Sequence, residues 1–524
     1  MVGACFYIGM SDLSQGDKLN MIIDDIISGI DEGGPKSYYS FETFVLHLFK
    51  HHLEGQKKEL QISRDSLQFG DAFAPNGFDQ FQGPTLIEIK FDLAKFPFRM
   101  FLDRYILRLA NEYTENKIKN VLVVSAKPIP ERFLLRFNNE ISNNSLPFKV
   151  ILWGPVELNK VVSKNKKAVN EITKNLFSLR LSSAISKPVR DWKVEREEIL
   201  ERLKNFYNKG QFSLFLGAGV SSSAGMPDWN TLLNSLFVTY LTQEFNEDIA
   251  MSDKDLNDIV GRLNVINEPS ALMAARYLRK GFSKSDGEAK HFIDAVTKNL
   301  YKLRDSNLPI DSELIKSIAS MCLPRRTGAK VKSVITYNFD DLLERQLISN
   351  SILHRCIYTN NESFDPDELP VYHVHGFLPE NRKLYDGLDK STLVFSEEGY
   401  HHIYSDSYHW SNLVQLNSFR ENSCLMVGLS MTDPNLRRLL DISSKNIERS
   451  KHFTFMKRIS SSEFCYEDSA GKKVKIIDNI DSAEKFLERH HTLNEELMKE
   501  LGVTIIWYEK YDDIPRFIKD VTKH

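Results

Sequence analysis

The chain has 524 residues, more than a single domain usually holds, so two or three compact units are expected, each with its own core. Hydrophobic residues make up 42% and charged residues 27%; no apolar run is long enough to span a bilayer and no basic segment precedes the short apolar patch at the start, so neither an anchor nor a signal peptide is expected and the cytoplasm is the expected address. A net charge of -3 argues against a general polyanion binder, and the five cysteines, Cys5, Cys322, Cys356, Cys424 and Cys465, lack the paired spacing of a zinc site.

In chain order, Phe41, Phe44, Val45, Leu48 and Phe49 recur at helical spacing, which predicts a helix over 41–53 with one buried face and Glu42 beside it. Pro75, Asn76 and Gly77 then open a connection between two extended runs, 72–74 and 85–91. Alternation in the second run places Leu86, Glu88 and Lys90 on one face. An upstream aspartate with such a Glu and Lys can serve phosphodiester chemistry: two carboxylates hold magnesium by oxygen, and the lysine orients a water against the phosphate. Asp71 is favoured as the aspartate because it would stand on the first run, with Asp79 as its rival, so the magnesium ligands would be Asp71 and Glu88. An isolated Glu-x-Lys is more often a solvated strand face.

The pattern resembles the PD-(D/E)xK nuclease core in its Mrr-like restriction-endonuclease form. The order that follows fits that fold: a helix over 98–112, a strand over 120–125, a helix from Glu131, a strand over 148–153 and a helix from Val156. Residues 101–190 carry more Lys and Arg than Asp and Glu, the reverse of residues 1–100, and Lys160, Lys164, Lys166 and Lys167 either follow a phosphate backbone or form a wet helix face. Such domains also persist as binding modules that do not cut. This nuclease-like α/β domain is expected over 1–185, before the polar, proline-bearing boundary at 181–192.

Beyond it, Ile199, Leu200, Leu203 and Phe206 mark an amphipathic helix over 194–207. Phe212, Leu214, Phe215 and Leu216 then form a short buried strand. Gly217, Ala218 and Gly219 remove side chains where a pyrophosphate can approach the backbone, and Ser221 to Ser223 open a helix whose N-terminal amides favour anions. From Gly217 to Asp228, through Ser221, Ala224 and Pro227, the chain resembles the sirtuin family's nucleotide-binding signature Gly-Ala-Gly-Ile-Ser-x-x-Ala-Gly-Ile-Pro-Asp. The family continues with Phe-Arg; here Trp229 can still shield a nicotinamide ring, whereas Asn230 replaces the arginine.

Residues 231–330 read as an inserted helical lobe, with Leu272, Ala275 and Leu278 in one of its stripes. The strand at 333–336 runs into Thr336-Tyr337-Asn338-Phe339-Asp340, which resembles the family's Thr-Gln-Asn-Ile-Asp, although the fragment alone also reads as a turn and helix cap. Val371 to Gly376 reads as a strand with His373 and His375 on one face. His375-Gly376 matches the family's catalytic His-Gly, while His373 also reads as a core hydrogen-bonding histidine. The strand 424–427 delivers Gly428-Leu429-Ser430, resembling Gly-Thr-Ser at the adenosine end of the site. Asp433 reads as the cap of the next helix, and a strand over 503–508 and a helix after Asp513 end the domain.

The resemblance implies a Rossmann-like sirtuin domain over 190–524 that takes NAD as substrate, with Asn338 and His375 catalytic. Gly217, Ala218, Gly219, Ser221, Ala224, Pro227, Asp228, Trp229, Thr336, Asp340, Gly428 and Ser430 would bind the dinucleotide. Deacylating sirtuins carry four zinc cysteines between His-Gly and Gly-Thr-Ser; this interval holds only Cys424, so no zinc module is expected. The chain therefore looks more like the bacterial sirtuin-like domains that consume NAD in antiphage defence. That likeness implies hydrolysis of NAD to nicotinamide and ADP-ribose, a homo-oligomer, a DNA or phage-derived trigger, and a HerA-like translocase or other operon-encoded partner. The alternatives are an NAD-dependent protein deacylase, an effector whose nuclease-like domain cuts or senses DNA, and an NAD-binding scaffold without turnover.

Overall fold

A computed structural model describes residues 34–62, 70–95, 98–102, 106, 118–142, 146–186, 191–237 apart from 230 and 234, 275, 278, and 289–523 apart from 327, 361, 392, 396, 407, 446, 448, 449, 470 and 471. The chain divides into two compact units. The first takes residues 1–190 together with 444–450 and 488–502, and the second takes the remainder. This departs from a second domain unbroken over 190–524, the expectation from the sequence. The difference has a physical anchor: Arg180 pairs with Glu496 at 3.1 Å and Glu500 at 2.6 Å, tying the end of the Ile480–Glu500 helix into the first unit. The proposed boundary at 181–192 is also helical at its start, because the Leu176–Ser186 helix runs through it; residues 187–190 lie outside the described ones.

The first unit is built on five strands, β1 (Gln61–Ile62), β2 (Ala72–Ala74), β3 (Thr85–Lys90), β4 (Asn120–Ser125) and β5 (Lys149–Trp153), in that spatial order. Pairing is antiparallel from β1 to β3 and parallel from β3 to β5. Both faces are covered. Ile87, Ile89, Leu122 and Val124 pack with Phe41, Phe44 and Phe49 of the Gly34–Glu54 helix, while Leu86, Val121 and Val123 pack with Phe101, Phe133 and Phe137. Only Phe98–Met100 of the helix expected over 98–112 is described as α-helix, and most of the remainder lies outside the described residues.

The second unit adds β6 (Phe212–Leu216), β7 (Val331–Thr336), β8 (His354–Ile357), β9 (Leu369–His373), β10 (Ser423–Val427), β11 (His452–Lys457), the hairpin β12 (Tyr466–Ser469) and β13 (Lys472–Lys475), and β14 (Val503–Tyr508). Seven of these form a sheet in the order β14-β11-β10-β6-β7-β9-β8, parallel throughout. Buried on both faces, its strands read as near-continuous apolar runs, as β6 and β10 do. The chain starts at β6 in the middle, builds outward through β7, and then reverses to the other side of β6 at β10. Ligands of open parallel sheets bind outside the carboxyl ends of the strands at such a reversal.

Strand β9 stops at His373, so His375 stands beyond the strand in a turn instead of sharing a strand face with His373. Within the expected helical lobe, Ala289–Lys302 and Glu313–Met321 are helices and Ala275 and Leu278 are buried; Leu272 lies outside the described residues. No helix among the described residues is long and apolar enough to cross a membrane.

Candidate nucleotide and catalytic site

The register of the parallel sheet brings the four sequence motifs to one level. Leu216 pairs with Thr336 on one side and Val427 on the other, and Thr336 pairs with His373. Gly217, Tyr337, Val374 and Gly428 are therefore the first residues past four neighbouring strand ends.

At the reversal point the two glycine turns interlock through their backbones. Gly217 N donates to Val427 O at 2.9 Å, and Gly219 N donates to Gly428 O at 2.9 Å. A Cβ on Gly217 would meet Leu429 at 2.5 Å, and one on Gly219 would meet the Gly428 Cα at 2.8 Å. The sequence reading assigned that missing volume to a pyrophosphate; at Gly217 and Gly219 the second turn already fills it. Ala218 and Gly219 are exposed on the rim, Ser221 and Ala224 are buried, and Pro227 is half-buried.

Asn338 bridges two of these strand ends. Its backbone N donates to Thr336 Oγ1 at 3.1 Å and its Nδ2 donates to Gly217 O at 3.0 Å, which fixes the amide against the first turn. Beside it the Ser221 hydroxyl bonds Asp340, whose Oδ1 also accepts from Leu342 N at 3.2 Å. Leu216, Val220, Ser221, Thr336, Asn338 and Asp340 contribute to the lining of a cavity of about 10 Å³, the order of one water.

Burial pushes the Asp340 carboxyl up to about 6, against the opposing hydrogen bond from Ser221. Because the folded value exceeds the unfolded one, this carboxyl favours folding while protonated, and that contribution is lost as pH rises through about 6. Wild type should therefore lose up to about 3 kcal/mol relative to Asp340→Asn between about pH 4 and pH 7. Denaturant unfolding of both proteins across that range measures it, and a pH-independent difference would contradict it.

His375 is buried, and among the described residues its Nε2 has no hydrogen-bond partner; Asp433 Oδ2 lies 3.9 Å away. Tyr337 sets its ring edge-on to His375 at 4.6 Å, and Tyr400 does so at 5.7 Å. Desolvation lowers the imidazole below its ordinary range, with Asp433 opposing. The Asp433 carboxylate is itself held: Tyr400 Oη donates to Oδ2 at 2.5 Å, and Leu436 N donates to Oδ1 at 2.7 Å. Asp433 is thus both the helix cap read from the sequence and the acid beside His375. Tyr337, Tyr400 and this second role were missed, because nothing in the spacing of 337, 400 and 433 links them to 375.

Other candidates are placed differently. Trp229 packs on Phe395 at 4.5 Å, within an aromatic group that includes Phe292 and Phe339. Asp228 caps the following helical turn through Thr231 N at 2.7 Å, and Asn230 lies outside the described residues. Ser430 is exposed and shares a hydrogen bond with Thr432 at 2.6 Å. His373 points elsewhere from His375, its Nε2 lying 2.9 Å from Glu344 Oε1.

In the first unit, Asp71, Glu88 and Lys90 come together. Lys90 Nζ bonds Glu88 Oε1, Glu88 Oε2 accepts from Gly70 N at 2.6 Å, and Asp71 Oδ2 accepts from Ile89 N at 2.6 Å. Asp79 does not join them: it bonds His52 at 2.7 Å and Gln56 at 2.8 Å, and the His52 hydrogen bond is the main reason its carboxyl falls to about 2. Glu88 and Lys90 are fully buried, so the solvated-face reading of this pair does not hold. Asp71 and Glu88 are the oxygen donors available there to a hard cation.

Residues 332–477 match a protein family described as SIR2-like domain. The chain is also similar to the NAD(+) hydrolase ThsA of Enterococcus faecium, with 21% identity over 336 residues, which is 63% of this chain and 59% of ThsA. It therefore spans less than two thirds of that relative's length.

Proposed function

We propose that the second unit hydrolyses NAD to nicotinamide and ADP-ribose. The observation that carries this reading is the common level of the Gly217 turn, Asn338 and His375, with a buried imidazole nitrogen that lacks a hydrogen-bond partner among the described residues and stands beside a carboxylate. The likeness to a protein named as an NAD(+) hydrolase supports it.

The chemistry suits those groups. Nicotinamide departs from a cationic pyridinium and needs little protonation, so the site has to stabilise a cationic ribose and direct a water at its anomeric carbon. Asn338, with its Nδ2 committed to Gly217 O, offers its amide oxygen to a ribose hydroxyl or that water. His375, kept neutral by desolvation, accepts the proton, and Asp433 stabilises the imidazolium that results. Exposed Ala218 and Gly219 present the rim of the first turn to the pyrophosphate, and Ser430 stands at the adenosine end.

Purified full-length chain incubated with NAD, with and without DNA, tests this reading. Nicotinamide and ADP-ribose without any acyl acceptor support the hydrolase; turnover that requires an acylated peptide replaces it with a deacylase. Our reading extends, on the resemblance of the motifs, to a homo-oligomeric antiphage effector that depletes NAD once DNA or a phage component, or a HerA-like partner, switches it on.

A second reading concerns the first unit alone. The convergence of Asp71, Glu88 and Lys90 favours a magnesium-dependent nuclease of the PD-(D/E)xK kind. Magnesium-dependent nicking of plasmid DNA, lost in Glu88→Gln, is the expected result; its absence leaves a buried structural ion pair.

A further inference from the structure

We propose that Glu344, Cys356 and His373 form a binding site for one divalent transition-metal ion of the zinc class behind the backbone of Asn338, with Glu344 and His373 buried and Cys356 half-buried. The residues come from three elements: Glu344 from the first turn of the Leu342–Ser349 helix, Cys356 from β8 and His373 from the end of β9. One ligand atom from each lies within 4.8 Å of the other two. Zinc takes nitrogen, oxygen and sulfur at about 2.0–2.3 Å, which spaces ligand atoms about 3–4 Å apart around one ion, so small side-chain movements complete the set.

His373 Nδ1 lies 3.3 Å from the carbonyl oxygen of Asn338, which can only accept, so Nδ1 carries the hydrogen. Its Nε2 lies 2.9 Å from Glu344 Oε1, and an ionised carboxylate is again only an acceptor. Something positive has to stand between Nε2 and the carboxylate: a proton or a metal ion. A proton serves that one contact alone. Glu344 is 1% exposed, it also borders the cavity beside Asn338, and among the described residues its Oε2 has no hydrogen-bond partner, which a buried carboxylate rarely tolerates.

A metal ion serves Nε2, the carboxylate and the Cys356 sulfur together. The carboxylate and thiolate sum to two negative charges and neutralise a divalent ion inside the core. The Nδ1–H bond to a backbone carbonyl is the usual outer-shell brace of a metal-bound imidazole. Phe377 lies 4.0 Å from the His373 ring and, with Tyr358, forms an apolar wall. Three protein ligands leave the fourth tetrahedral position to water. Binding sends the thiol proton, and any proton on Nε2, to solvent. The ion would lock the His373 ring and, through it, the carbonyl of Asn338.

The test reads metal binding, not NAD turnover, so its outcome is separable from that of the hydrolase reading. Full-length protein is stripped with a chelator and titrated with Co²⁺ as a spectroscopic probe. One equivalent should produce thiolate-to-cobalt charge-transfer absorption in the near ultraviolet, and Zn²⁺ should displace it. Cys356→Ser, with its fold checked by circular dichroism, should abolish that band. Glu344→Gln should keep the band and weaken cobalt affinity at least about 10-fold, since losing a direct ligand costs no less than losing an outer-shell partner. No thiolate band in wild type, an undiminished band in Cys356→Ser, or unchanged affinity in Glu344→Gln would each overturn the site, cobalt on surface histidines being the explanation in the first case.

Discussion

Asn338→Ala and His375→Ala are each expected to lower nicotinamide release from NAD by about 10²–10⁴-fold while leaving the fold intact. Asn338→Ala loses the amide that Gly217 O holds in place, and His375→Ala removes the buried imidazole proposed as the base. Asp433→Asn should cost less, because His375 remains, but it should leave a distinct mark. Asp433 opposes the desolvation that lowers the imidazole, so without its charge the imidazole falls further. The acid limb of the kcat/KM profile should then move to lower pH, a displacement that loss of a helix cap alone does not produce. Product chromatography across pH, alongside thermal melts, measures all three; wild-type turnover in both alanine variants would remove these residues from the mechanism.

Gly428→Ala is expected to destabilise the second unit by about 2–5 kcal/mol, the sum of left-handed backbone strain and overpacking. Gly428 has φ +70°, and an added Cβ would lie 2.6 Å from Val220 N and 3.0 Å from Gly217 O, both backbone atoms of the facing turn. Gly387 provides the control: at φ +71° with nothing among the described residues within 4 Å, its replacement by Ala should carry the strain alone, about 1–2 kcal/mol. Denaturant unfolding of the two variants compares them. Equal losses would mean that the interlocked turns yield easily, and NAD binding should fall in Gly428→Ala only.

The strands carrying the motifs were legible because parallel strands buried on both faces leave short apolar runs that end in small or polar residues, as at Leu216-Gly217 and Val427-Gly428. What these glycines face was not legible, since Gly217 and Gly428 meet through a register that only the folded sheet defines. Alternation correctly put Glu88 and Lys90 on one side of β3. It could not report that this side is covered, because the cover comes from Phe101, Phe133 and Phe137, far along the chain. Glu344, Cys356 and His373 escaped for a related reason: a ligand set drawn from one helix and two strands has no characteristic spacing. The Ile480–Glu500 helix has an apolar stripe in the sequence, but a stripe does not name its partner, which for its second half is the first unit.

The return of residues 488–502 to the first unit bears on how the protein is made. On the ribosome, β1 to β5 emerge well before the segment bearing Glu496 and Glu500, the latter 320 residues beyond its partner Arg180. The Gly217 turn likewise waits for Gly428 before it has a neighbour to lock against. A growing chain, or one cut short before position 428, would carry Asn338 and His375 without the finished turn, and so would lack the assembled site at which we propose that NAD is hydrolysed.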